Sequence, residues 1–136
     1  MQVRDGMSEV VLTIGPGHSL REAAEAMCRR NVGAAVVMDP DSAGPGVITE
    51  RDILRSIGHG QDPDNERVAD HLTSHLTFAS PSWSLEQAAA AMVRGKFRHL
   101  VVFEGGELAG ILSMRDIVRA WTDDGASCDI PEAASA

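Results

Sequence analysis

Two short segments of the chain carry a hydroxyl and a carboxylate at the same spacing: Thr49 and Asp52 in GVITERD, and Ser113 and Asp116 in GILSMRD. An ionised carboxylate accepts two hydrogen bonds and so can hold a pair of adjacent hydroxyl donors. A hydroxyl beside the backbone N–H groups of a helix start suits an anion. Each segment follows an apolar run and precedes a helix-like one, which places both side chains at a strand-to-helix junction. Arg51 and Arg115 lie inside these segments and fit either a solvated helix charge or a phosphate contact. Arg98 and His99 form a further polar pair, with Arg94 and Lys96 close by and no acid among them. Plain capping accounts for Asp52 and Asp116 but not for the Thr or Ser three residues earlier, so a binding role is expected for both pairs.

The elements that must hold these residues come from an internal repeat. Shifting the chain by 65 places residues 3–38 on 68–103, with Pro16 on Pro81, Ser19 on Ser84, Leu20 on Leu85 and Met27 on Met92. A shift of 64 then superposes GVITERDILR on GILSMRDIVR, the first repeat having one extra residue in its turn. Ser19 and Ser84 are candidate N-caps, with Glu22 and Gln87 in the capping-box position. Leu20, Ala23, Ala24 and Met27 recur at helical spacing, as do Leu85, Ala88, Ala89 and Met92. Two strands follow in each repeat, Ala34–Met38 with Gly46–Thr49 and Leu100–Phe103 with Leu108–Ser113. A last helix begins near Asp52 or Asp116. The fold class is α+β: two tandem β-α-β-β-α repeats, 3–58 and 68–121, packed as a pseudo-two-fold module with crevices where they meet. Residues 59–67 read as a linker and 122–136 as a frayed polar tail.

Composition narrows the function. The net charge of −8 argues against a nucleic-acid partner, which needs clustered Lys and Arg to neutralise phosphates. No apolar stretch approaches the ~20 residues that span a bilayer, so no membrane partner is expected. The N-terminal residues lack a signal-like apolar segment, and a cytoplasmic location is expected. Cys28 and Cys128 have neither CxxC spacing nor companion ligands and read as bystanders. His71 and His75 have the i, i+4 spacing of metal ligands but no third ligand, and no metal is expected. Met27 and Met92 read as packing residues, and Trp83 and Trp121 as partly buried. No nucleophile-base or metal constellation appears, which argues against an enzyme.

The P-x-x-S-L-x-x-A-A-x-x-M runs, VRDGMS and VADHLT before the two repeats, and the paired GVITERD and GILSMRD motifs resemble the CBS-domain family, in the tandem form called a Bateman module. The resemblance covers residues 3–121. It implies a regulatory module that binds an adenosine ligand, AMP, ADP, ATP, NAD or S-adenosylmethionine, and signals to a partner protein. On that footing Asp52 and Asp116 are expected to clamp ribose, and Thr49 and Ser113 to meet phosphate. Arg98 and His99 stand where some nucleotide-binding relatives carry bases against phosphate, while the first repeat has Gly33 and Ala34 there, so the two crevices are expected to be unequal. Val36 and Val101 replace a proline usual in the family. A homodimer is also expected, and a scaffold with empty crevices is the competing reading.

Overall fold

Each unit carries the entry strand and the hairpin of a β-α-β-β-α repeat in the computed structural model, which describes residues 1–41, 44–73 and 77–124. The elements run α1 (Val3–Gly6), β1 (Thr13–Ile14), α2 (Leu20–Arg30), β2 (Ala34–Val37), β3 (Gly46–Thr49) and α3 (Glu50–Gly58), then β4 (Phe78–Ala79), α4 (Leu85–Gly95), β5 (His99–Glu104), β6 (Glu107–Ser113) and α5 (Met114–Asp123). A 3-10 turn, Val68–Asp70, lies between the two series. Two three-stranded sheets result, β1-β2-β3 and β4-β5-β6, each with a parallel first pair and an antiparallel second pair. The tandem α+β architecture is therefore as the sequence implies.

Helices α2 and α4 start where the serines can cap them. Ser19 and Ser84 accept the N–H of Glu22 and Gln87, whose side chains accept the serine N–H in return. Their small-residue faces lie on the sheets: Leu20, Ala23 and Met27 join Ala35, Val37 and Ile48 in one core, while Leu85, Ala88 and Met92 join Leu100, Val102 and Leu112 in another. Both methionines are packing residues, at 3% and 1% exposure. Trp83 and Trp121 are partly buried against the second core.

The chain divides into two compact units, and their borders differ from the borders of the repeats in sequence. Residues 10–73 form the first unit, whereas residues 1–9 fold with residues 77–124 as the second. Val3, fully buried, belongs to the core of α4 and β5. Its N–H donates to Trp83 O at 2.7 Å, and Leu85 N–H donates to Met1 O at 3.0 Å. In the first unit the same bonds run from Val68 N–H to His18 O and from Leu20 N–H to Glu66 O. The expected linker is accordingly fastened down: Pro63 O accepts the Arg21 N–H, and Asp64 pairs with the Arg21 side chain.

Glycines at the start of β3 and in β6 admit this strap. A Cβ on Gly110 would stand 2.5 Å from Ser8 O, and one on Gly46 would stand 2.8 Å from a Leu72 methyl and 3.1 Å from Thr73 O. A side chain at either position would crowd the extended segment that bridges to its neighbour, Ser8 to Ile111 and Thr73 to Val47.

Candidate functional site

Each unit brings its motif to the same place, the point where the last strand turns into the last helix. Thr49 ends β3 and caps α3; Ser113 ends β6 and caps α5. Thr49 Oγ1 accepts the Asp52 N–H at 3.2 Å, and Asp52 Oδ2 accepts both the Thr49 N–H and its hydroxyl at 2.9 Å. Ser113 Oγ accepts the Asp116 N–H at 3.0 Å, and Asp116 Oδ2 accepts the Ser113 N–H at 2.8 Å.

These bonds correct part of the sequence argument. The helices begin at Glu50 and Met114, two residues before Asp52 and Asp116, and the aspartates are the third helical residues rather than the caps. A reciprocal capping box needs a hydroxyl and a carboxylate three residues apart, so capping explains the whole pair and not only its acid. The spacing by itself does not distinguish a binding site from a well-made helix start.

What remains after capping is the material for binding. Asp52 Oδ1 takes no hydrogen bond among the described residues, and Asp116 Oδ1 has only the Arg119 guanidinium at 3.5 Å. The Asp116 side chain keeps 14% of its surface exposed. Of the backbone donors at the helix start, the first is held by a carbonyl, Glu50 N–H by Gly33 O at 2.9 Å and Met114 N–H by Arg98 O at 2.8 Å. The third serves the cap, which leaves the N–H groups of Arg51 and Arg115 without a backbone partner inside the helix. Both arginine side chains are exposed and make no ion pair among the described residues.

The position of Arg98 and His99 follows from strand pairing. His99 is the register partner of Ser113, as Ala34 is of Thr49. Residues directly opposite in an antiparallel pair share a face of the sheet, with Cβ atoms about 5 Å apart. His99 therefore lies beside the Ser113 hydroxyl, and Arg98 precedes it with an exposed side chain in no ion pair among the described residues. All five second-repeat candidates, Arg98, His99, Ser113, Arg115 and Asp116, thus gather at one junction, and Thr49, Arg51 and Asp52 gather at the other.

Sequence reasoning passed over Glu50. Its carboxylate lies over Gly33, so that a Cβ there would meet Glu50 Oε1 at 3.0 Å. The signal was available in the repeat: Gly33 with Glu50 aligns with Arg98 and Met114.

His71 pairs with Glu66 at 2.7 Å at the end of a 3-10 turn, not on a helix, and His75 lies outside the described residues. Cys28 is exposed, and Cys128 lies outside the described residues. No group of three or more metal-ligating side chains, and no helix long and apolar enough to cross a membrane, occurs among the described residues.

The CBS domain family matches residues 2–59 and 68–123. A protein of Methanocaldococcus jannaschii is 34% identical over 122 residues, 90% of this chain, which spans only 43% of that protein's length. The solved CBS-domain-containing protein of Agrobacterium tumefaciens is 34% identical and superposes with a TM-score of 0.79 over 88% of this chain and 92% of that one. The CBS domain pair of protein MJ0100, solved in complex with 5′-methylthioadenosine and S-adenosyl-L-methionine, is 20% identical with a TM-score of 0.80 over 91% of this chain and 98% of that one.

Proposed function

From the premise that the chain belongs to the CBS-domain family, as a tandem pair, we propose that it is a non-catalytic regulatory module whose strand–helix junctions bind an adenosine ligand. The observation that carries this reading is the second junction. Arg98 and Arg115 stand there without acid partners among the described residues, beside His99, the Ser113 hydroxyl and the half-buried Asp116. Such a set matches a ligand with vicinal hydroxyls at one end and phosphate at the other: Asp116 accepts from the ribose, while the guanidiniums and the free Arg115 N–H face phosphate. The adenosine ligands of protein MJ0100 support the class of ligand, and AMP, ADP and ATP fit this junction better than a ligand without phosphate.

A thermal-shift panel of AMP, ADP, ATP, NAD and S-adenosylmethionine tests the reading. A ligand that binds only the folded state adds about 2.7 kcal/mol of stability at a hundredfold excess over Kd, so a true ligand raises the midpoint in a concentration-dependent way. A flat panel at millimolar ligand would favour the second reading, an interaction module that binds no nucleotide. That reading draws its support from the capping boxes, which give Thr49, Asp52, Ser113 and Asp116 a purely structural task.

The downstream element is a partner protein or a second copy of the chain. Leu54 on α3 and Val118 on α5, at equivalent positions and 68% and 55% exposed, support self-association through helical faces, because exposed apolar side chains favour burial against another surface. Light scattering coupled to chromatography reads the outcome as twice the chain mass, and a monomer at tens of micromolar would exclude a homodimer.

A further inference from the structure

We infer that Glu50 is a specificity-determining residue of the first junction, which disfavours phosphate there and favours an adenosine ligand whose 5′ group is neutral or cationic; the inference rests on the adenosine-binding reading above.

Two independent differences between the junctions point the same way. The first is charge. Gly33 has no side chain, and the space beside it is filled by the Glu50 carboxylate, 3.0 Å from where a Cβ would stand. At the equivalent places the second junction has Arg98 and Met114. The first junction therefore holds two carboxylates, Glu50 and Asp52, against Arg51, while the second holds Arg98 and Arg115 against Asp116. Glu50 forms no ion pair among the described residues, so its charge is not cancelled locally. A phosphate at the helix start would sit well within the ~8 Å over which salt screens charge, and like charges in so small a space repel.

The second difference is in the hydroxyls. A hydroxyl has one proton to donate. Thr49 gives its proton to Asp52 Oδ2 at 2.9 Å, whereas Ser113 Oγ makes a single bond among the described residues, accepting the Asp116 N–H. Ser113 can therefore donate to a phosphate oxygen with its cap intact, and Thr49 cannot. A neutral or ammonium-bearing 5′ group reverses the balance, because the Glu50 carboxylate then accepts a hydrogen bond or pairs with the cation.

Calorimetric titration of adenosine, AMP and 5′-amino-5′-deoxyadenosine into the wild-type chain and the Glu50→Gln and Glu50→Met variants tests the inference, with thermal melts to establish that each variant is folded. In wild type, AMP should fill one site strongly and a second at least about tenfold more weakly, and the weak phase should strengthen as salt rises while the strong phase weakens. Either variant should strengthen the weak AMP phase by about tenfold and weaken the amino-nucleoside, with adenosine little changed. Two equal AMP sites in wild type, or a weak phase indifferent to both variants, would overturn the role of Glu50 while leaving adenosine binding intact. Absence of any binding at millimolar ligand would instead overturn the adenosine reading, and this inference with it.

Discussion

In the first unit Glu66 O accepts the Leu20 N–H, His18 O accepts the Val68 N–H and Pro16 O accepts the Ala69 N–H; in the second the same three bonds join Met1 to Leu85, Trp83 to Val3 and Pro81 to Arg4. The capping boxes, the strand order and the strap beside the glycine repeat in the same way. Against this shared frame the junctions display opposite charge: Glu50 over Gly33 in one, Arg98 with His99 in the other. The backbone geometry that positions each helix start is thus the same in the two units, and the side chains around it differ in charge.

The shared frame is broken most severely at the straps. Val3 and Val68 are each fully buried in their unit's core. Placing an unpaired carboxylate there should cost about 3 kcal/mol or more. Val3→Asp should therefore lower the denaturation midpoint seen by tryptophan emission, because Trp83 and Trp121 both pack on the second core; Val68→Asp should do so by far-ultraviolet circular dichroism. An unchanged emission midpoint for Val3→Asp would show that residues 1–9 are not part of the second unit.

The two strap glycines offer a finer comparison. At Gly110 the obstacle is the Ser8 carbonyl at 2.5 Å, whereas at Gly46 the nearest atom is a Leu72 methyl at 2.8 Å, which can rotate away. Gly110→Ala should cost about 2–3 kcal/mol and Gly46→Ala about 1 kcal/mol less, since backbone yields less readily than a side-chain end. Urea denaturation of the two variants gives the order, and the reverse order would mean that the two straps are not held alike.

Much of this frame was legible in the sequence because its signals are local. Ser19 with Glu22 and Ser84 with Gln87 mark helix starts through bonds made within four residues, and the apolar spacing of Leu20, Ala23 and Met27 marks a buried face. The exchange of straps was not legible in that way. The alignment of Val3 with Val68 showed that the two segments are equivalent, but a short apolar segment does not specify which of two similar cores it fills. The junctions were half-legible for a different reason: Thr49 and Asp52 have the spacing of a capping box and of a ligand clamp alike, and only the bond pattern separates a hydroxyl that has spent its proton from one that has not. Glu50 escaped because its meaning lies in Gly33, seventeen residues earlier, whose missing side chain makes room for it.

The contrast between junctions is sharpened by removing the basic pair. Arg98→Ala with His99→Ala should weaken AMP at the second junction by about tenfold, the equivalent of about 1.4 kcal/mol, within the range for charge-assisted hydrogen bonds. Adenosine should be nearly indifferent to the change. Calorimetry at two salt concentrations adds a second readout, because the double variant should also lose most of the salt dependence. Equal losses for adenosine and AMP would show that the pair acts on the fold and not on phosphate.

The smallest difference lies away from the junctions, in the caps of α2 and α4. Glu22 closes the first box and Gln87 the second, so one cap titrates and the other does not. The Ser19 N–H bond, then the His18 side chain and the Ser19 hydroxyl, hold the Glu22 carboxyl below its ordinary value of 4.5. A carboxyl whose pKa is lowered by folding contributes stability that is present above the ordinary value and is lost as pH falls through the lowered one. The first unit should therefore lose a small increment of stability between about pH 5 and pH 3 that the α4 cap does not lose. Glu22→Gln copies the second box into the first: it should lower the urea midpoint slightly at pH 7, where the ionised carboxylate is the better acceptor beside the helix start, and the gap to wild type should close as the pH approaches 3. A gap that stays constant with pH would mean that the Glu22 charge has no part in holding the cap.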